Sequence, residues 1–212
     1  TKNKWDKKVD LKLWWREINR IKKENAAVII FSAQPFTTDL INSNRKYFRY
    51  SLVWNKVLPV GFLNSGKMPL RSHEDICVFY EKLPYYKPVM STGHDRKIVK
   101  NRDSKNNNNY GDFKDVGGYD STERFPTSIM TFSNGGNRTK ILHPTQKPLE
   151  AVIYLLRMYA KEKFLIYDSF AGSGTTLEAC KSLGLDFIGS ELDKDYYEII
   201  QKRLGEVQMS LF

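Results

Sequence analysis

Between residues 10 and 24, apolar side chains recur at Leu11, Trp14, Trp15, Ile18 and Ile21, with charged residues between them. That spacing predicts an amphipathic helix with one buried face. Ala26 to Phe31 is then continuously apolar and ends at Ser32, which reads as a buried parallel strand. A short helix is expected from about Thr38 to Asn44. Phe48–Trp54 and Ile76–Glu81 are rich in β-formers and read as further strands, parted by a loop containing Gly, Pro and Asn.

The regularity fails from about Pro84 to Arg138. This stretch holds Asn106 to Asn109, Gly117-Gly118 and Gly135-Gly136 among many charges. A loop region of such length inside a domain is usually functional or disordered, and it reads as an insert on the core. Order returns at His143. Leu149–Tyr159 predicts an apolar helix, Phe164–Tyr167 a strand, Thr175–Leu183 a helix, Phe187–Ser190 a strand and Lys194–Leu204 a terminal helix. This alternation predicts an α/β fold, a doubly wound and mostly parallel sheet.

At 212 residues the chain suits one substantial core rather than two full domains. No apolar run approaches the roughly 20 residues of a membrane-spanning helix. Cys77 and Cys180 lie far apart in apolar surroundings and read as two buried thiols, and the scattered His73, His94 and His143 give no metal-ligand spacing. The net charge of +10 is unevenly spread: residues 1–84 carry +8, residues 85–140 carry +4 and residues 141–212 carry −2. A basic first two-thirds suits a polyanion such as nucleic acid.

The segment Asp168-Ser169-Phe170-Ala171-Gly172-Ser173-Gly174-Thr175-Thr176 joins a predicted strand to a predicted helix, where open parallel sheets bind ligands. Gly172 and Gly174 allow close backbone approach. Thr175 and Thr176 are placed to cap the helix, whose N–H groups point at the ligand. A phosphate loop needs Lys after the last glycine, and a dinucleotide fingerprint needs Gly at 177; Thr175 and Leu177 stand there instead. Glu191, 23 residues after Asp168, ends the next strand and is suited to gripping two ribose hydroxyls. Ribose binding without phosphate machinery points to a nucleoside ligand such as S-adenosylmethionine.

Asp168 to Thr176 closely resembles the Asp-Pro-Phe-x-Gly-Ser-Gly-Thr-Thr motif of amino-group (N6-adenine and N4-cytosine) DNA methyltransferases, with Ser169 in place of the usual proline. His143-Pro144-Thr145-Gln146-Lys147-Pro148 resembles the same family's segment against the cofactor's methionine end. Gly189-Ser190-Glu191-Leu192 resembles its ribose-binding strand end. The order matches the β subgroup, whose catalytic half and target-recognition region precede the cofactor half. Ala27 to Phe36, Trp54-Asn55-Lys56 and Arg71-Ser72-His73-Glu74 with Ile76-Cys77-Val78-Phe79 look like that catalytic half.

The resemblance implies a methyltransferase fold in three parts: residues 1–83 as an N-terminally incomplete catalytic half, 84–140 as the target-recognition insert, and 141–212 as the cofactor half. It implies S-adenosylmethionine held by Asp168, Phe170, Ala171, Gly172, Ser173, Gly174, Thr175, Thr176, Glu191, Thr145 and Lys147, with no metal. The family's Asp-Pro-Pro-Tyr catalytic motif is not found. Relatives carry it shortly before a Trp-Asp pair, here Trp5-Asp6, so it is expected upstream of Thr1 and no catalytic residue is assigned. Lys56, Arg71, His73, Arg96, Lys97, Lys100, Arg102 and Lys105 are the candidate DNA contacts.

The expected activity is site-specific methylation of adenine N6 in a flipped-out base of double-stranded DNA. Carbon-5 cytosine chemistry is disfavoured because neither cysteine is placed as a nucleophile. N4-cytosine methylation, an RNA amino-group activity and a catalytically inactive DNA-binding subunit are the alternatives. The family also implies a cytoplasmic protein of a prokaryote or phage, and leaves open a homodimer and a cognate restriction endonuclease.

Overall fold

Asp10 starts the first helix, α1 (Leu11–Ile21), by accepting the Leu13 N–H at 3.0 Å. The structure, a computed structural model, describes residues 9–99, 118–134, 143 and 145–206. Trp5-Asp6, Asn106 to Asn109 and Pro144 lie outside them. The predicted apolar face of α1 buries Trp15 and Ile18, whereas Ile21 at its end is half exposed. Trp15 also donates its indole N–H to Ser43 Oγ at 2.8 Å, fastening α1 to α2 (Phe36–Ser43).

β1 (Val28–Ser32), β2 (Phe48–Val60) and β3 (Arg71–Phe79) form most of a four-stranded sheet. β3 runs antiparallel to both its neighbours, with Val28 of β1 opposite Phe79 and Ser32 opposite Asp75. The expectation of a parallel β1 is therefore corrected. A continuous apolar run reports that both faces are covered, and it carries no information about the partner's direction. Trp15, Ile18, Leu40, Cys77 and Phe79 form the core between this sheet and the two helices.

Residues 88–127 form a second compact unit. Within it β4 (Lys97–Val99) pairs antiparallel with β5 (Tyr119–Ser121), and Ser91 bridges to Arg124. The chain returns to the first unit with β6 (Ile129–Phe132), which lies parallel to β2. These four residues fall in the stretch read from sequence as insert. They carry too short a pattern to announce a strand without its partner.

The remaining elements follow the predicted alternation within a residue or two: α3 (Leu149–Tyr159), β7 (Leu165–Asp168), α4 (Thr175–Ser182), β8 (Asp186–Gly189) and α5 (Lys194–Glu206). β7 and β8 pair in parallel, with Asp168 opposite Gly189. The α/β class holds, and the strand directions are mixed. Gly189 lets α4 lie close, because a Cβ there would meet Leu177 Cδ1 at 2.6 Å. Cys77 and Cys180 are buried free thiols. No helix among the described residues is long and apolar enough to cross a membrane.

Candidate functional site

β7 ends at Asp168, whose carboxylate accepts the Phe170 N–H at 3.0 Å and turns the chain. The turn is laced to the end of β8: Ala171 N–H donates to Ser190 O at 3.0 Å, and Ser190 N–H donates to Asp168 O at 2.9 Å. Gly172 and Gly174 take positive φ of 53° and 83°, which glycine adopts without strain. Gly174 itself is the N-cap of α4, and no side chain caps that end. The expected capping by Thr175 and Thr176 is thus corrected, because Gly174 takes the cap position and both threonines fall inside the first turn. The Thr175 hydroxyl instead accepts from Arg203 Nη1 at 3.2 Å. Arg203, from α5, also donates to Ser173 O at 2.9 Å and pairs with Glu178.

Glu191 sits directly against this turn. Its Oε2 accepts the Gly172 N–H at 2.7 Å, and its Oε1 accepts those of Leu192 and Asp193, each at 2.9 Å. A carboxylate has about four acceptor positions, so one remains at Oε2 for a hydroxyl. Receiving two ribose hydroxyls requires one amide bond to be exchanged.

His143 and Gln146 lie against the same turn. Ser173 Oγ donates to Gln146 Oε1 at 3.2 Å, and the His143 ring lies 4.4 Å from that of Tyr196. Thr145 N–H donates to His143 Nδ1 at 3.1 Å. Burial pushes the His143 pKa down, and together with the charge of Lys147 it outweighs the upward push of Glu191 and Asp193. Three stretches that sequence placed far apart therefore meet at the carboxyl ends of β7 and β8.

Lys147 points elsewhere. Its ammonium lies 3.0 Å from Glu74 Oε2 and above the rings of Phe31 and Trp54, at 5.6 and 5.9 Å from their centroids. Lys56 grips the other oxygen of Glu74 at 2.6 Å. Burial alone would raise the Glu74 pKa, and the two ammoniums outweigh it and hold the carboxyl below its ordinary range. Lys56 is only 7% exposed, so its expected role as a DNA contact is corrected: the partly buried carboxylate of Glu74 draws it inward.

Arg71 and His73 are exposed on β3. Arg96 is exposed but held by both oxygens of Asp120, at 2.8 and 2.6 Å, which neutralises much of its charge. Lys97 is exposed in β4. Lys100, Arg102 and Lys105 lie outside the described residues. Sequence reasoning placed Glu74 in the catalytic half without its pairing to Lys56 and Lys147, and it missed Arg203 and Trp14 as neighbours of the turn. Trp14 was legible as a helix-face residue, yet its indole N–H donates to Ser169 Oγ at 3.1 Å. Cys180 is buried in the core with Ala160, Leu183 and Leu185, and burial together with the charge of Asp168 pushes its thiol up to about 12. That is the reverse of a nucleophile's requirement.

A glycine turn at the ends of parallel strands, with a carboxylate from the next strand against it, is the arrangement of an α/β protein, a class that binds ligands at its strand ends. The profile of the DNA methylase family matches residues 1–202, and the chain belongs to that family. It is 26% identical over 222 residues to the Type II methyltransferase M.HindIII of Haemophilus influenzae, covering 91% of this chain and 67% of that protein. It covers 57% of the Type II methyltransferase M.HpaI of Haemophilus parainfluenzae at 25% identity, with 90% of this chain matched. Among solved structures, the M1.HpyAVI–SAM complex superposes with a TM-score of 0.62 at 22% identity, over 91% of this chain and 81% of that one. The PvuII cytosine-N4-specific DNA methyltransferase superposes with a TM-score of 0.57 at 12% identity, over 92% and 77%. These likenesses establish a DNA methyltransferase fold.

Proposed function

We propose that the protein is an S-adenosylmethionine-dependent DNA methyltransferase acting on the N6 amino group of adenine. The observation that carries the cofactor assignment is the bond between Glu191 and the Gly172 amide, which sets a ribose-binding acid against a glycine turn. The residues fit that ligand. The turn carries no Cβ at 172 or 174, Glu191 retains an acceptor position, and the Phe170 ring is 60% exposed beside it. The cofactor supplies an electrophilic methyl group on a sulfonium centre. The chain's own part is to hold the adenosine with Glu191 and the 170–174 backbone, and to close the site with His143, Thr145 and Gln146. Positioning and electrostatics of this kind are what methyl transfer to an amino nitrogen requires.

Double-stranded DNA is the proposed substrate, supported by the basic first two-thirds of the chain and by exposed Arg71, His73 and Lys97. The region 84–140 is the proposed recognition region, and a cognate restriction endonuclease is a proposed partner on the likeness to Type II methyltransferases. The target base must be extruded for its amino group to be reached. The sequence resemblance covers both amino groups, and adenine N6 is the first reading. Cytosine N4 is the second reading, favoured by the likeness to the cytosine-N4-specific PvuII enzyme.

The test uses the full-length protein with radiolabelled S-adenosylmethionine and duplex DNA, followed by nucleoside mass spectrometry. N6-methyladenine is the expected product, N4-methylcytosine would establish the second reading, and cofactor binding with no transfer would leave a binding subunit. Absence of cofactor binding by calorimetry would overturn the proposal.

A further inference from the structure

The family motif carries proline where this chain has Ser169. A proline ring fixes φ and so stiffens the turn that receives the cofactor, and serine gives that stiffness up. Ser169 is nonetheless tethered, because its Oγ accepts the Trp14 indole N–H at 3.1 Å. The next residue is tethered too: the Phe170 ring lies 6.4 Å from that of Trp14, at an interplanar angle of 27°. Phe170 otherwise stands 60% exposed, with its N–H held by Asp168.

The other end of the tether is fixed. Trp15, beside Trp14, is 5% exposed in the core and bonded through its own indole to Ser43 of α2. Asp10 caps the same helix. Neighbouring tryptophans on α1 thus point their N–H donors to two places, one into the scaffold and one onto the cofactor turn.

We propose that Trp14 is a positioning residue that holds the cofactor turn through Ser169, replacing by a hydrogen bond and a ring contact the stiffness that proline supplies elsewhere in the family. This rests on the cofactor reading above. A turn held in its binding form loses less conformational freedom when the ligand arrives. Releasing it therefore weakens cofactor binding, with little effect on the methyl-transfer step.

The experiment compares the full-length wild-type protein with Ser169→Ala, Ser169→Thr, Trp14→Phe and the Ser169→Ala/Trp14→Phe double variant. Each is measured for KM and kcat with S-adenosylmethionine, for cofactor Kd by calorimetry, and for thermal midpoint. Removing one neutral hydrogen bond predicts a rise of about two- to tenfold in Kd and KM. Ser169→Ala and Trp14→Phe each show that rise with kcat nearly unchanged and thermal midpoints near wild type. Ser169→Thr, which keeps the hydroxyl, restores wild-type affinity. The double variant is no weaker than either single one, because both remove the same bond. Wild-type KM in Ser169→Ala, or single effects that multiply in the double variant, overturn the proposal while leaving the cofactor reading intact. A wild-type protein that binds no S-adenosylmethionine overturns both.

Discussion

Gly174 offers a quantitative test of how the glycine turn is built. Its φ of 83° lies in the left-handed region, and a Cβ there would meet Ile200 Cγ1 at 2.9 Å and two further Ile200 carbons at 3.5 Å. Ile200 is 4% exposed, and its β-branched side chain has few rotamers to retreat into. Gly174→Ala therefore combines two penalties. Left-handed backbone costs a non-glycine residue about 1–2 kcal/mol, and overpacking a closed contact costs about 1–3 kcal/mol. The gain from a stiffer unfolded chain offsets roughly 0.4–1 kcal/mol. The net loss is about 3 kcal/mol, which for a chain of this size lowers the thermal midpoint by roughly 6–12 °C.

Gly172→Ala is the control. It shares the left-handed backbone, at φ 53°, but its Cβ would meet only His143 Cδ2 at 3.9 Å, an ordinary contact. Its net loss is about 1 kcal/mol, or roughly 2–4 °C. Both variants are measured by scanning calorimetry without ligand, then titrated with S-adenosylmethionine. Equal midpoints for the two variants would refute the packing argument.

Three further outcomes are expected. Glu74→Gln leaves two inward-facing ammoniums with no compensating carboxylate and lowers stability in urea titrations by about 3–5 kcal/mol at pH 7. Since folding depresses the Glu74 pKa, its contribution is full above the unfolded carboxyl value near about 4.3 and fades as pH falls through the lower folded value. The acid limb of the stability curve flattens in the variant. Cys77 and Cys180, both buried, resist alkylation by a maleimide at neutral pH and react together on unfolding, as counted by mass spectrometry. Arg203→Ala frees the Ser173 carbonyl and the Thr175 hydroxyl and raises the cofactor Kd by about two- to tenfold, read by calorimetry.

The local elements of this protein were legible without tertiary information. The spacing of Leu11, Trp14, Trp15 and Ile18 marked a helix, and the run from Ala26 to Phe31 marked a strand. The glycine turn between β7 and α4, with Glu191 one strand later, marked the candidate site. These features are written in side-chain period, apolar runs and glycine positions, each of which answers to backbone geometry over a few residues. Tertiary structure alone decided which partner each group met. β1 lies against an antiparallel neighbour, Lys56 turns inward to Glu74, Arg96 is held by Asp120, and Trp14 reaches a serine 155 positions away. A charge or an indole N–H has the same local signature whether it meets solvent, a nucleic acid or another side chain. The partner is selected by the desolvation of the folded core, where an unpaired polar group is costly, and periodicity holds no record of that choice.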